Sequence, residues 1–466
     1  MSLIKHSLAA LTLSIGMTAG MLQAQPLDLL QTWQLAVQQD PQYRAAEAAY
    51  KAGATRDEQA RSLWLPNLGA SATAGRGGYK SSSQGANFKT PSMGSEDRVE
   101  FNNSITGGRL SAYEVGLKQP ILSRERLAQS RQLRLGGELA GLEWQHAQQQ
   151  LMLRVAERYF DVLVSRQAAQ LLQQQHEQAL RAEQETRARF ELGDRPVTDT
   201  HEATAQARSL QAMLLDARMQ QQLAEAAYAD LTGEPADELL QLPLETAMNA
   251  PELGALQQWL TDAVQENPGV RMQDKGADIA LESIAQYSSW KSPTLDLVGR
   301  LAHEKLDGSG RYGSAMNKAD DWMLGVQINV PIFTGGYRSA KRREALYTHE
   351  QRIAEAEAMR QQVRQQTRSA WHAIQVSSQQ VDALQQALEA SRLRAESTRL
   401  GVELGDKTTL ERLDADNQQT RVQIDLLNAK VALIVHQLQL AALVGGLDER
   451  HLQQANSYLQ GDMSRP

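Results

Sequence analysis

The chain has no cysteine among its 466 residues. That excludes disulfides, a thiolate metal site, a cysteine nucleophile and a lipid-acceptor cysteine behind an export signal. Its nine histidines include no His-Glu-x-x-His run, and no glycine-rich phosphate loop is present. Neither zinc hydrolysis nor nucleotide chemistry therefore has a carrier, and the chain reads as a non-enzyme with no cofactor and no metal. Proline is missing from residues 332–465 and from everything between Pro120 and Pro196. Beyond residue 24 there is no run of about 20 apolar residues, and mean hydropathy is −0.48, so no transmembrane helix is predicted. A membrane barrel stays open, because its strands are short and alternate and each leaves a weak hydropathy signal.

One apolar run does exist, Leu8–Leu22, behind Lys5 and His6 and ahead of Gln23-Ala24-Gln25. A basic start, a short apolar stretch and a small residue predict a signal peptide over residues 1–24. The alternative, an uncleaved anchor, is disfavoured by the shortness of the run and its Ser, Thr and Gly content. Removing Lys5 takes the formal charge from −7 to −8. An acidic exported chain has no electrostatic reason to bind nucleic acid.

The proline-free stretches read as long helices. A helical pattern runs from about Ser339 to Leu400 and resumes from about Thr408 to Val444, around the turn Leu404-Gly405-Asp406-Lys407-Thr408-Thr409. Gly405 is the expected stop and Thr408 or Thr409 the expected cap. A twin turn, Leu192-Gly193-Asp194-Arg195-Pro196, lies 212 residues earlier. The chain is a duplication. At the same offset Tyr159 matches Trp371 and Gly233 matches Gly445; upstream the offset is 227, aligning Asp40-Pro41 with Asn267-Pro268 and Pro66 with Pro293. The predicted organisation follows. Residues 25–252 form a first repeat with a helix, a strand pair at about 67–119, a hairpin at 123–231 and a connector. Residues 253–446 form a second, with a strand pair at about 294–330 and a hairpin at 335–444. Residues 447–466 form a polar tail expected to be partly mobile.

Between the helices the period changes to two. Tyr113, Val115 and Leu117 alternate with Glu114 and Lys118; Leu295, Leu297 and Leu301 face away from Asp296 and Arg300; Trp322, Leu324, Val326, Ile328 and Val330 share one side of the last strand. The Gly/Ser/Asn-rich segment at about 76–110 and the segment at about 303–321 read as exposed loops. A soluble sandwich would alternate in the same way. Yet four strands set between helices of roughly 100 Å bury no sandwich core, and a closed membrane barrel needs about eight. Open edges are not tolerated in lipid, so several copies must share one barrel, with the apolar faces on lipid and Glu114, Lys118, Asp296 and Arg300 lining water. The fold class is mainly α, with duplicated hairpins and a membrane β-barrel. The rival class is a soluble periplasmic coiled-coil adaptor, which would carry one hairpin and a compact β domain.

Taken in order and twice over, Asp40-Pro41 and Asn267-Pro268, Leu65-Pro66, Pro120-Ile121-Leu122, Pro331-Ile332-Phe333-Thr334-Gly335-Gly336, the two glycine turns and Leu413-Asp414-Ala415 resemble the TolC family of outer-membrane efflux and secretion channels. The resemblance covers the whole mature chain. It implies a homotrimer with four strands per chain in a 12-stranded outer-membrane barrel. It implies a periplasmic α-barrel, and an equatorial belt built from the connector and the C-terminal segment. It also implies docking, through the turns at Gly193, Asp194, Gly405 and Asp406, to a periplasmic adaptor and an inner-membrane transporter, either ABC-type or proton-driven. Glu411 and Asp414 lie three residues apart at a helix start and share a face. Carboxylates there equally suit the helix dipole. The resemblance matches them to the family's acidic entrance rings, with Glu411 in place of the more usual Asp. It likewise matches Asp199 and Lys407 to a carboxylate–basic link that holds the gate shut, with Lys407 replacing Arg and losing its bidentate geometry. Drug, metal and protein all remain open as substrates, with the missing lipid-acceptor cysteine leaning toward a general or secretion-type channel.

Overall fold

The computed structural model describes residues 26–90, 94–246, 248, 253–287, 292–310 and 313–459. The predicted signal peptide lies outside them. In the first half the order is α1 (Leu29–Gln39), α2 (Pro41–Ser62), β1 (Asn67–Thr90), β2 (Gly94–Leu122), α3 (Arg124–Glu191) and α4 (Val197–Thr232). The second half gives α5 (Leu256–Glu266), α6 (Pro268–Tyr287), β3 (Thr294–Gly310), β4 (Gly313–Asn329), α7 (Tyr337–Leu404) and α8 (Thr409–Leu443), followed by α9 (Glu449–Asn456).

Helices α3 and α7 each contain 68 residues, or roughly 100 Å at 1.5 Å per residue. Local chemistry sets their ends. Ser123 caps α3 by accepting the Arg126 N–H. The chain leaves α3 at Gly193 and α7 at Gly405, both left-handed, with φ of 78° and 85°, a conformation glycine takes without a Cβ penalty. Each long helix is a spine for two shorter ones. Along α3 lie α2 and then α4; α6 sits between α3 and α7, and α8 continues below it on both.

The repeat is visible atom by atom where the short helices meet end to end. Asp40 caps α2 by accepting the Tyr43 N–H at 2.6 Å, and Asn267 caps α6 by accepting the Val270 N–H at 3.2 Å. Gly233 ends α4 against Gln39, and Gly445 follows α8 against Glu266.

The strands form one antiparallel sheet in the order β1-β2-β3-β4, so β1 and β4 are its edges and β2–β3 joins the two halves. They run further than their alternation suggests. The segments read as loops at 76–110 and 303–321 are largely strand: β1 and β2 stay paired up to Thr90↔Gly94, and β3 and β4 up to Gly310↔Gly313. The antiparallel ladder is made by backbone groups, so Gly, Ser and Asn extend it without an apolar face to announce it. Residues 91–93 and 311–312 lie outside the description.

The main core sits at mid-height, where Leu151, Val155, Tyr159 and Phe160 of α3 meet Leu426, Leu433 and Ile434 of α8, Trp33 of α1 and the connector residues Leu239 and Leu242. The Tyr159 hydroxyl donates toward two carbonyls, Leu27 at 3.0 Å and Leu240 at 3.1 Å, fastening the N-terminal segment and the connector, which pair as a parallel bridge at Leu27↔Leu239. The described part of the tail, residues 447–459, differs from its expected mobility. Asp448 caps α9, and Leu447, Leu452, Ala455 and Leu459 are buried in the same core; a few apolar side chains in a polar segment suffice to seat one short helix. Helix α8 holds an 18-residue window of mean hydropathy 1.4, apolar and long enough to cross a membrane, but half of that window is buried inside the chain.

Candidate functional site

The α7–α8 turn is built to be stiff. Thr408 accepts the Glu411 N–H at 3.1 Å while the Glu411 carboxylate accepts the Thr408 N–H at 2.8 Å, a reciprocal capping box. Leu413, two residues on, is buried among Ala179, Ala182, Ala207 and Leu210, so it anchors the tip of α8 to the α3–α4 hairpin. Small alanines there bring the helices close. With Leu413 and Ala415 buried, Asp414 between them is left exposed.

The four predicted gate residues are all partnered inside the chain. Lys407 Nζ lies 2.7 Å from Glu411 Oε1, and Asp414 Oδ2 lies 2.9 Å from Arg394 Nη2 of α7. Asp199 pairs with Arg195 at 3.8 Å, one turn away. Among the described residues Asp199 and Lys407 make no ion pair with each other, so the expected link is not formed within one chain. The reason is local: each already has an i,i+4 partner that it reaches without ordering the other hairpin. Gly193-Asp194 and Gly405-Asp406 stand at the exposed tips of the two hairpins.

The Lys407 ammonium, and then the Thr408 N–H, push the Glu411 carboxyl down to about 2 from 4.5. A carboxylate depressed on folding stabilises above its ordinary pKa and loses that contribution as pH falls through the depressed one. The turn is therefore expected to keep its full protection down to about pH 5 and to lose it progressively between there and about pH 2. Amide hydrogen exchange at residues 409–412 checks this; loss of protection between pH 7 and 6 would contradict it.

At the other end of the molecule, the four predicted lumen residues come together as two cross-strand ion pairs. Lys118 lies 3.1 Å from Asp296, and Arg300 lies 3.2 Å from Glu114. The register explains the pairing: Lys118 faces Val298 and Glu114 faces Ala302, so each partner sits one diagonal step away on the same face. The opposite face carries Trp322, Leu324, Val326 and Ile328 with 79%, 67%, 59% and 67% of their surface exposed. An apolar face this open belongs against lipid.

Two further residues escaped the sequence reading. Arg394, the partner of Asp414, sits 20 positions away and gives no sequence signal. Lys430 is fully buried, and its ammonium donates to the carbonyls of Leu244 at 2.6 Å, Thr246 at 2.7 Å and Pro243 at 3.4 Å. Burial pushes its pKa below the ordinary lysine value. A lone cation inside Ala429-Lys430-Val431-Ala432-Leu433-Ile434 was the available signal.

The sequence profile of the family described as outer membrane efflux protein matches residues 32–234 and 259–446. Outer membrane protein TolC of Escherichia coli (strain K12) is 27% identical over 453 residues, covering 95% of this chain and 87% of that protein. The proteases secretion protein PrtF of Dickeya chrysanthemi is 25% identical over 467 residues, covering 98% and 96%. Among solved structures, the Campylobacter jejuni CmeC outer membrane channel superposes with a TM-score of 0.72 at 16% identity, covering 94% of this chain and 90% of that one.

Proposed function

This chain belongs to the outer membrane efflux protein family, and from that premise we propose that it is the passive outer-membrane exit duct of a tripartite efflux or type I secretion machine. One observation carries the reading: a four-stranded sheet with two free edges is fused to helices of roughly 100 Å. Free edges do not survive in lipid. Three copies close the sheet into a 12-stranded barrel, each β4 pairing with the next β1. The same three-fold symmetry stands the long helices side by side as a tube reaching into the periplasm.

The tube has no energy source of its own among the described residues, so transport is driven from the inner membrane. A periplasmic adaptor docks on the hairpin tips at Gly193-Asp194 and Gly405-Asp406, and an ABC or proton-driven transporter supplies the substrate. Glu411 and Asp414, repeated three times, form the acidic entrance. The Arg394–Asp414 pair is exposed and spans the two helices, so a small rotation of α7 against α8 uncovers Asp414, while Glu411 keeps Lys407 as its partner within the turn. Rings of carboxylates favour cations at a constriction.

Two measurements test this. After lysis without detergent the chain is expected in the outer-membrane fraction; recovery in the soluble fraction supports an adaptor instead. In planar bilayers, Glu411→Gln with Asp414→Asn is expected to lower cation preference several-fold, and Arg394→Ala to raise it. A reversal potential unchanged in both variants would remove these residues from the entrance.

A further inference from the structure

The lipid-facing side of the sheet does not stop at its apolar band. Following the register upward, Leu324, Gly299 and Leu117 share one row, and Trp322, Leu301 and Val115 the next. Then come Tyr113, His303 and Asp320, with the tyrosine and histidine rings stacked at 6.4 Å. Aromatic rows of this kind mark where hydrocarbon gives way to head groups.

Immediately beyond, the chemistry changes sign. Lys305 lies directly opposite Lys318, and one row further Arg76 lies directly opposite Arg109. Like charges directly opposite are unfavourable, and here two such pairs occupy consecutive rows. The one acid among them is Asp307, opposite Arg109 and 4.0 Å from Lys305. With Asp320 of the aromatic row included, four cations against two carboxylates leave a net charge of two per chain among these described residues. The cations do not point into the barrel, because at that height the other face is filled by Ile105 and Leu306 packed over Gly108 and Gly308. At about 3.4 Å per residue and a tilt of about 40°, the two rows lie roughly 5 and 10 Å beyond the aromatic row. The nearer row falls within the head-group layer and the farther one at its outer margin.

We propose that Arg76, Arg109, Lys305 and Lys318 form a basic belt that binds the phosphate groups of anionic lipid in the outer leaflet. The proposal rests on the outer-membrane placement of the barrel. The belt supplies what the two like-charged pairs lack, a shared counter-anion, and would fix the height of the barrel in the membrane.

The test uses the full-length assembly in mild detergent, titrated by native mass spectrometry with a bis-phosphorylated glycolipid and with the same glycolipid stripped of phosphate. The phosphorylated form is expected to bind more tightly, with the preference falling roughly fivefold for each cation removed. It should be partly lost in Lys305→Gln/Lys318→Gln and wholly lost when Arg76→Gln and Arg109→Gln are added. Inorganic phosphate at the same concentration is expected to displace none of it; full displacement would make this a free-phosphate site and overturn the proposal. Equal binding of the two glycolipids by the native assembly also overturns the belt, while leaving the barrel in its membrane. Binding of neither lipid would count against the membrane placement itself.

Discussion

Replacing Lys430 by methionine is expected to cost the assembly roughly 3 kcal/mol or more and to free the connector between the two halves. Methionine keeps most of the volume and removes only the charge and the donors. Two carbonyls, of Leu244 and Thr246, then lose their donor, while that of Pro243 still accepts the Thr246 N–H at 3.3 Å. An orphaned buried acceptor costs about 1–3 kcal/mol, several times what a satisfied hydrogen bond contributes on balance. The two belong to one short segment, so they are lost together. The connector also carries Leu239 and Leu242 into the core and pairs with the N-terminal segment at Leu27, which makes it a strap across that core. Thermal unfolding of the detergent-solubilised assembly measures the loss, and protease cleavage within residues 233–246 locates it. Lys430→Arg keeps the donors and is expected to fall between the two. A methionine variant as stable as the native chain would reduce the lysine to a tolerated buried cation.

Lys430 also shows where the sequence stops being informative. The long helices, both turns and the duplication are legible because glycine, proline and capping residues act through their own backbone or their nearest neighbours. The sheet is legible only where one face is apolar. Leu68 and Trp322 announce a strand; Gly77 and Ser83 do not, although both lie in the ladder, because backbone hydrogen bonds leave no trace in side-chain order. The tail misled for a related reason. Its four buried apolar side chains are diluted by Gln, Glu and Arg, and only the packing of α9 on α1 and the shared core gives them something to cover.

The candidate site divides along the same line. That Glu411 and Asp414 share a helix start follows from spacing. That Lys407 pairs with Glu411 was equally available, being an i,i+4 pair, whereas the approach of Arg394 to Asp414 depends on how α7 lies against α8. The lumen pairs belong to both kinds. Alternation puts four charges on one face, but only the β2–β3 register decides that Lys118 meets Asp296 and Arg300 meets Glu114.

Gly445→Ala is expected to be among the most damaging single-methyl additions in the chain, and comparison with Gly405→Ala and Gly233→Ala isolates the cause. All three glycines are left-handed, with φ of 70°, 85° and 76°. The strain of putting a side chain there, about 1–3 kcal/mol, is common to them. Their surroundings are not. A Cβ at Gly405 meets nothing within 4 Å, and one at Gly233 comes 3.0 Å from the Gln39 Cγ, a flexible side chain that can move. At Gly445, the repeat-equivalent of Gly233, the new methyl collides with the backbone carbonyl of Glu266. That carbonyl ends α5 and cannot shift alone, because the next residue, Asn267, holds the Leu443 carbonyl at 2.9 Å and caps α6. Relief requires moving the end of α8 off the α5–α6 junction, which also breaks the Gln149 contact to the Gly445 carbonyl at 2.8 Å. The expected cost is roughly 4 kcal/mol or more, against about 1 kcal/mol at Gly405. Thermal midpoints and the yield of assembled channel for the three variants decide the matter. If Gly445→Ala proves no worse than Gly405→Ala, the junction yields easily and α8 is not braced there. If it fails while Gly233→Ala survives, two positions related by duplication have become unequal, the second fixed by backbone and the first only by a side chain.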